Sequence, residues 1–366
     1  MRFVWLLLKG ILAILLLVVV AGVLFYTLAP TFGGRPDAQS QARIAASANH
    51  DGEQFINLIP TQVSTPDPNN PFSIWEMFSS PEGKNPGEAL PTRAFTGSEL
   101  ADGDMVWFGH STVLLQLGQL TVITDPVFYN ASPLPGTARP FAMQHPPSLS
   151  SLPPIDVALI SHDHYDHLDI RAVKELRDTT TIFLVPLGVK AHLQRWGIPD
   201  PAIFEFDWYE SHTVDDTEFV LTPSRHFSGR RFTRSQTLWG SWVIASPDSR
   251  IFFSGDSGYF DEFAKIGERY GPFDIAFLEN GAYDTNWASI HMMPEEAVQA
   301  MEALKAELFF PIHWGKFDLA RHPWKEPIER ASRAAAARGA PIVTPMIGQR
   351  FRVDAHQSQS WWEAVE

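Results

Sequence analysis

The chain has 366 residues, 45% of them hydrophobic, with 28 basic against 42 acidic side chains, a formal net charge of −14 and no cysteine. That is apolar material for one large core, while the acidic balance argues against nucleic acid, whose phosphates need clustered Lys and Arg. It argues equally against adhesion to anionic lipid by charge alone. The lack of cysteine fits an oxidising compartment without disulfides and excludes nothing.

Arg2 and Lys9 flank a stretch from Gly10 to Ala29 that carries no charge. At about 1.5 Å per residue, ~20 residues cross the roughly 30 Å hydrocarbon core of a bilayer. Tyr26, near the end of the stretch, suits an interfacial position. A cleaved signal peptide is the alternative, but the apolar region is long for one, and Thr27-Leu28-Ala29 runs into Pro30, a poor cleavage context. Residues 1–30 are therefore read as a single-pass membrane anchor. Positive charge ahead of the span favours a cytoplasmic N-terminus and an extracytoplasmic catalytic domain, periplasmic in a bacterium. Arg35 and Arg43, just beyond the span, weaken that bias.

Residues 31–100 read as a linker and an extension that packs on the catalytic domain. The run from Thr61 to Pro71 is too rich in proline and small polar residues for regular structure. Phe72–Phe78 is an apolar cluster expected to dock back on the fold.

From residue 101 to 366 the pattern is α/β and reads as one domain. Met105–Phe108, Val113–Leu117 and Leu120–Thr124 read as strands, the last two joined at Gly118-Gln119 as a hairpin. Val157–Ile160 reads as a buried strand. Helical spacing covers Ile170–Asp178, Gly188–Trp196, Pro294–Ala306 and Glu326–Arg338, with Pro294 well placed at a first helical position.

The most specific signal follows Val157–Ile160: Ser161-His162-Asp163-His164-Tyr165-Asp166-His167. Three imidazoles and a well-placed carboxylate this close together suit zinc, iron or manganese, whereas a histidine-rich surface loop would need no such pattern. His226 follows the strand-like Glu218–Leu221, Asp256 follows Arg250–Phe253, and His313 follows Leu308–Pro311. Side chains at the ends of neighbouring strands converge on one edge of a sheet, where open α/β sheets place their sites. Singly, each of the three reads equally well as a cap or a buried core residue. Together the seven suffice for two metals sharing one bridging carboxylate.

His162-x-His164-x-Asp166-His167 with a later His, Asp and His resembles the ligand pattern of the metallo-β-lactamase superfamily. Gly109-His110-Ser111-Thr112, Ile123-Thr124-Asp125-Pro126, Gly255-Asp256-Ser257-Gly258-Tyr259, His291-x-x-Pro294-Glu295-Glu296 and Ile312-His313-Trp314-Gly315 narrow the match. They look like the branch containing N-acyl-phosphatidylethanolamine-hydrolysing phospholipase D and, more distantly, the L-ascorbate-6-phosphate lactonases. The similarity runs from about Trp107 to about Gly348.

The resemblance implies an αββα sandwich with two Zn2+ ions, or Fe or Mn, between its sheets. His162, His164 and His226 would hold one metal; Asp166, His167 and His313 would hold the other, with Asp256 bridging. Asp125 would orient a ligand imidazole or the bound water, and His291 would donate to a developing oxyanion. Two cations lower the pKa of a bridging water, so that hydroxide is available near neutral pH to attack phosphorus or a carbonyl carbon. No protein nucleophile is then needed.

Arg225, Arg230, Arg231 and Arg234 cluster around His226. Either they are a solvated basic loop, or Arg230 and Arg231 clamp an anionic substrate, since guanidinium matches phosphate and carboxylate bidentately. Trp239, Trp242, Trp287 and Trp314 could line a wide apolar mouth or simply pack. Gly255-Asp256-Ser257-Gly258 resembles a serine-protease nucleophile loop, but Tyr259 replaces the expected glycine and there is no disulfide framework. No glycine-rich phosphate loop is present in the sequence.

Three functions are compatible with this reading. Resemblance and anchor together favour a zinc phosphodiesterase on a phospholipid-like substrate. A lactonase or carboxyl-ester hydrolase on a small anionic substrate is the second, and a membrane-tethered binding protein without catalysis the third. The complete ligand set counts against the last.

Overall fold

A computed structural model of the chain describes residues 2–69, 82–97, 100–134, 136–355 and 358–366; the cluster Phe72–Phe78 lies outside the described residues. Helix α1 spans Arg2–Leu28, and none of its residues is buried. It is long and apolar enough to cross a membrane. It starts before the uncharged stretch and includes Lys9, whose ammonium sits 3.7 Å from the centre of the Trp5 ring. Helix α2, Ala38–Ala46, falls in the stretch expected to be linker. Asp37 caps it by accepting from the Ser40 amide, and only Ser40 and Ile44 are buried, so almost no hydrophobic periodicity marked it.

Strands β1 (Met105–Trp107), β2 (Val113–Leu117), β3 (Leu120–Thr124), β4 (Ile155–Leu159), β5 (Thr180–Pro186) and β6 (Ile203–Phe206) form one sheet in sequence order. Strands β7 (Ser211–Val214), β8 (Thr217–Thr222), β9 (Ser241–Ala245), β10 (Arg250–Phe253), β11 (Ile275–Glu279) and β12 (Phe309–Ile312) form a second. Strand β13 (Arg350–Phe351) returns to pair with β1. The β2–β3 hairpin turns at Gly118-Gln119, pairing Leu117 with Leu120.

Period-2 alternation builds the layers. Val113, Leu115, Val157 and Leu159 point into the space between the sheets, where they meet Phe219, Leu221, Trp242, Phe253 and Phe277 of the second sheet. Their neighbours Leu114, Ala158 and Ile160 point outward under helix α3, Ile170–Leu176, and helix α4, Lys190–Arg195. Outward-facing Val220, Val243, Phe252 and Leu278 are covered by α5 (Glu262–Tyr270), α6 (Pro294–Ala303) and α7 (Glu326–Arg338). The result is a four-layer αββα sandwich. Helix α4 starts later than the sequence spacing predicts, because Gly188 has φ +88°, outside helical space. Strands β5, β6, β7, β9, β11 and β13 and helix α5 carried no prediction. Strands β9 and β11 are short apolar runs that periodicity cannot separate from buried helix.

Candidate metal centre

The loops after β3, β4, β8, β10, β11 and β12 all open at one end of the sandwich, and each delivers a titratable side chain there. Backbone close-packing holds them. Gly255 has φ +55°, and a Cβ on it would lie 2.5 Å from the Cβ of Ser161, so the loops carrying Asp256 and His162 can approach only with glycine at this position. His110, Asp125 and His313 have φ of +56°, +35° and +67°. Left-handed backbone at such residues costs roughly 1–3 kcal/mol each and is tolerated where the surroundings fix it, typically at functional sites.

Two ligand groups result. His162, His164, His226 and Asp256 bring their donor atoms within 4.8 Å of one another; so do Asp166, His167 and His313, joined by His110. Asp256 lies between them. Its Oδ2 is 3.7 Å from Nε2 of both His162 and His226, while its Oδ1 is 3.2 Å from Nε2 of His167 and 3.1 Å from Nε2 of His313. Asp166 Oδ2 lies 3.5 Å from His167 Nε2, 3.4 Å from His313 Nε2 and 3.0 Å from His110 Nε2.

In four of the inward-facing imidazoles the other ring nitrogen is occupied, whereas His164 turns its Nδ1 toward the Nε2 atoms of His162 and His226. Nδ1 meets Ser161 Oγ in His162 (2.9 Å), Asp125 Oδ2 in His167 (2.7 Å), the Ile290 carbonyl in His226 (2.9 Å) and the Gly281 carbonyl in His313 (3.2 Å). Such partners fix the tautomer and aim Nε2 at the centre, as in metal sites. Asp125 in turn accepts from the Ser161 amide at 2.7 Å and the Ser161 hydroxyl at 2.6 Å. The Asn57 side chain clamps the His226 backbone, accepting from its N–H at 3.0 Å and donating to its carbonyl at 2.7 Å.

Burial holds His162 and His226 well below the usual imidazole pKa and lowers His164 as well, so these three are neutral and free to act as ligands. For His167 burial acts the same way, but the Asp256 and Asp166 carboxylates outweigh it and push the pKa well up. The same contest raises His313 to about 10, so the two carboxylates call for positive charge at this junction, which a bound cation would supply in place of the imidazole protons. Burial would raise Asp256, yet His167 and His313 hold it well below the carboxylate range.

Three buried atoms at the junction, His167 Nε2, His313 Nε2 and Asp256 Oδ1, have no hydrogen-bond partner. Buried polar atoms are ordinarily paired, and a cation would satisfy all three at once. The donor set of imidazole nitrogens and carboxylate oxygens fits zinc, iron or manganese.

Residues 121–314, more than half of the chain, match the family model described as a β-lactamase superfamily domain. The chain belongs to the metallo-β-lactamase superfamily. An uncharacterised protein of Mycobacterium tuberculosis is 39% identical over 345 residues, covering 91% of this chain and 92% of that one. N-acyl-phosphatidylethanolamine-hydrolysing phospholipase D 1 of Caenorhabditis elegans is 36% identical over 227 residues, 58% of this chain and 64% of that protein. The structure of Igni18, a metallo hydrolase of Ignicoccus hospitalis, superposes with a TM-score of 0.52 at 22% identity, covering 68% of this chain and 97% of that one. The protein is thus a metal-dependent hydrolase with the αββα metallo-β-lactamase fold.

A cavity of about 370 Å³ opens onto the centre, lined among others by His164, Asp166, His291, Arg234, Trp287 and Leu319. Val63 and Ser64, from the segment ahead of the sandwich, form part of its wall. His291 is therefore at the site, with Nδ1 2.8 Å from Glu279 Oε2. Glu279 is fully buried, and its Oε1 accepts from the Ser257 and Met292 amides at 3.1 and 2.9 Å. Sequence reading missed Glu279, which ends an unassigned strand, and His110, which was quoted only as part of a motif.

Arg230 and Arg231 correct the expected anion clamp. Neither lines this cavity. The Arg230 guanidinium is buried, donates to the carbonyls of Asp163, Leu168 and Thr31 and stacks on Tyr165, 4.1 Å from the ring centre. Arg231 donates from Nε to the Phe32 carbonyl at 3.1 Å. Arg234 is the member of that cluster facing the metal centre. Of the four tryptophans, Trp287 lines the mouth, whereas Trp239, Trp242 and Trp314 are buried in the core between the sheets.

Proposed function

We propose that this hydrolase binds two zinc ions and cleaves a phosphodiester of an N-acyl-phosphatidylethanolamine-like phospholipid, held at the membrane by α1 with its catalytic domain on the extracytoplasmic side. The observation that carries the reading is Asp256, whose two oxygens face two separate imidazole groups. Similarity to the nematode phospholipase D supports the substrate class.

In this reading His162, His164 and His226 hold one cation and Asp166, His167 and His313 the other, with Asp256 shared. Bound there, the pair supplies an acidified water near neutral pH and positive charge for the reacting oxygens. The chain's own residues do the rest. Glu279 orients His291 through Nδ1, which leaves Nε2 to hydrogen-bond a phosphoryl oxygen or pass a proton to it. Arg234, at the cavity wall, supplies a guanidinium for the substrate's negative charge. Asp125, Ser161 and the carbonyls of Ile290 and Gly281 keep the imidazoles from turning. His110, which burial pushes down to about 3, stays neutral and steadies Asp166.

A second reading, a lactonase or carboxyl-ester hydrolase, draws on the modest cavity of about 370 Å³ with Arg234 in its wall, which suits a small anion. Detergent-solubilised protein assayed on N-acyl-phosphatidylethanolamine beside a lactone panel separates the two. Phosphodiester turnover supports the first reading; lactone turnover alone replaces it with the second.

A further inference from the structure

Helix α1 is not loosely tethered to the body. Its C-terminal end and the segment after it are held by four side chains of the sandwich. Arg195 donates to the Leu28 carbonyl at 2.9 Å, Trp196 Nε1 to Pro30 at 2.8 Å, Arg230 Nε to Thr31 at 2.9 Å and Arg231 Nε to Phe32 at 3.1 Å. Helix ends leave carbonyls unsatisfied, and cations there complement the helix dipole. The Gly34 amide donates to His192 Nδ1 at 3.0 Å, and a Cβ on Gly34 would lie 2.0 Å from the Ala191 carbonyl oxygen. The direction of α1 therefore fixes which face of the sandwich meets a bilayer.

That face carries Phe232, 90% exposed; outside α1 the next most exposed large apolar residue among the described ones is Leu134, at 52%. Isolated exposed apolar residues are common and mean little by themselves. Phe232, however, stacks on Tyr26, with ring centres 4.8 Å apart, and its amide donates to the Tyr26 hydroxyl at 3.3 Å. Tyr26 is two residues from the end of α1, about 3 Å along the axis. A bilayer that contains the apolar part of α1 thus reaches the depth of Phe232.

Beside this pair lies a second cavity, of about 470 Å³, lined by Tyr26, Thr27, Arg35 and Arg231 among others. Its acidic lining residue, Asp163, is already engaged, by the Gly229 amide at 2.6 Å and His192 Nε2 at 3.1 Å. Guanidinium groups at the level of an interfacial aromatic are placed to meet lipid phosphates.

We infer that the loop 227–234 is a membrane-docking loop: Phe232 enters the interfacial layer of the bilayer that holds α1, and headgroup phosphates meet Arg35 and Arg231. This rests on the anchor reading above. His226 precedes the loop, and Phe227 and Arg234 within it line the metal cavity. Docking the loop brings the rim of that cavity to the lipid surface, so the substrate is an amphiphile reached from the bilayer.

Because the chain has no cysteine, one introduced cysteine carries one label. Full-length Leu15→Cys, Phe232→Cys and Gln119→Cys proteins, labelled with an environment-sensitive dye, are reconstituted into phosphatidylcholine–phosphatidylglycerol vesicles with and without nitroxide lipid. Gln119 is exposed in the β2–β3 turn, at the opposite end of the sheet from the metal centre. The inference predicts loss of emission at Leu15 and Phe232 and none at Gln119. Loss at Leu15 but not at Phe232 overturns docking and leaves the anchor standing. No loss at Leu15 removes the anchor and docking with it.

Discussion

Asp125 Oδ2 lies 2.7 Å from Nδ1 of His167, and neither residue is exposed to solvent. The carboxylate reaches the imidazole from behind, so Nε2 of His167 is left to face Asp256. Burial raises the pKa of Asp125, opposed by its hydrogen bonds from His167 and Ser161. Asp125→Asn keeps the shape but offers an N–H where His167 needs an acceptor. Loss of such a partner typically costs 10–100-fold in metal affinity. Chelator competition on folded Asp125→Asn protein should show a weakening of about that size.

Glu279 and His291 make a separate prediction. If His291 acts on the substrate, His291→Ala should lower kcat by about 10²–10³-fold while leaving metal content intact. Glu279→Gln should lower kcat in the same sense and by less, because His291 remains but is no longer oriented by a carboxylate. Asp256, Glu279, His291 and His313 also lie close enough to share a cation. Metal loss from the His291→Ala protein, seen by elemental analysis, would therefore make His291 a ligand and remove its proposed action on substrate.

Lys316 links the site to stability. Its ammonium is buried and donates to the carbonyls of Phe108 at 2.9 Å and Val127 at 2.6 Å, next to the turn that carries His110. Burial depresses its pKa from 10.5 to about 7. Between those values the unfolded chain binds the proton that the folded chain has released, so this residue makes stability rise with pH across that window, by about 1.4 kcal/mol per unit. Below pH 7 both states are charged and the contribution is flat. Denaturant unfolding of wild type and Lys316→Met between pH 7 and 10 should show the rise in wild type and its absence in the variant.

The readable part of the sandwich lies in short runs of β-type residues closed by turn residues, as at Gly118-Gln119. Val113–Leu117 and Leu120–Thr124 were bounded to the residue, and Glu326–Arg338 to both ends. The His-rich run stood out because its four candidate ligands sit within six positions of one loop, and the structure brings them together at one end of the sandwich. Glu279 did not, since a buried glutamate in Ile275–Glu279 leaves no trace in periodicity and its partner His291 is twelve residues away. His110 was hidden by its backbone: a left-handed turn before β2 aims it at Asp166, and nothing local in Gly109-His110-Ser111 announces that direction. The arginine cluster misled for the opposite reason. Proximity in sequence to His226 suggested a clamp, but Arg230 is spent bridging the metal loop to the end of the N-terminal helix.

The ligand assignment makes the sharpest demand. Asp256→Ala removes the carboxylate that both imidazole groups share, and His164→Ala removes a ligand of one group alone. Both should abolish turnover, with Asp256→Ala depleting both positions and His164→Ala depleting mainly one. Far-UV circular dichroism on the same samples checks that the sandwich persists.

The most direct measurement is the metal content of purified wild-type and Asp256→Ala protein, taken on the same samples as their turnover of N-acyl-phosphatidylethanolamine. Two zinc ions per wild-type chain, with both metal and phosphodiester turnover lost in the variant, is the predicted result. One metal or fewer in active wild-type protein, or an Asp256→Ala protein that keeps its metal and its activity, would contradict the shared-carboxylate centre.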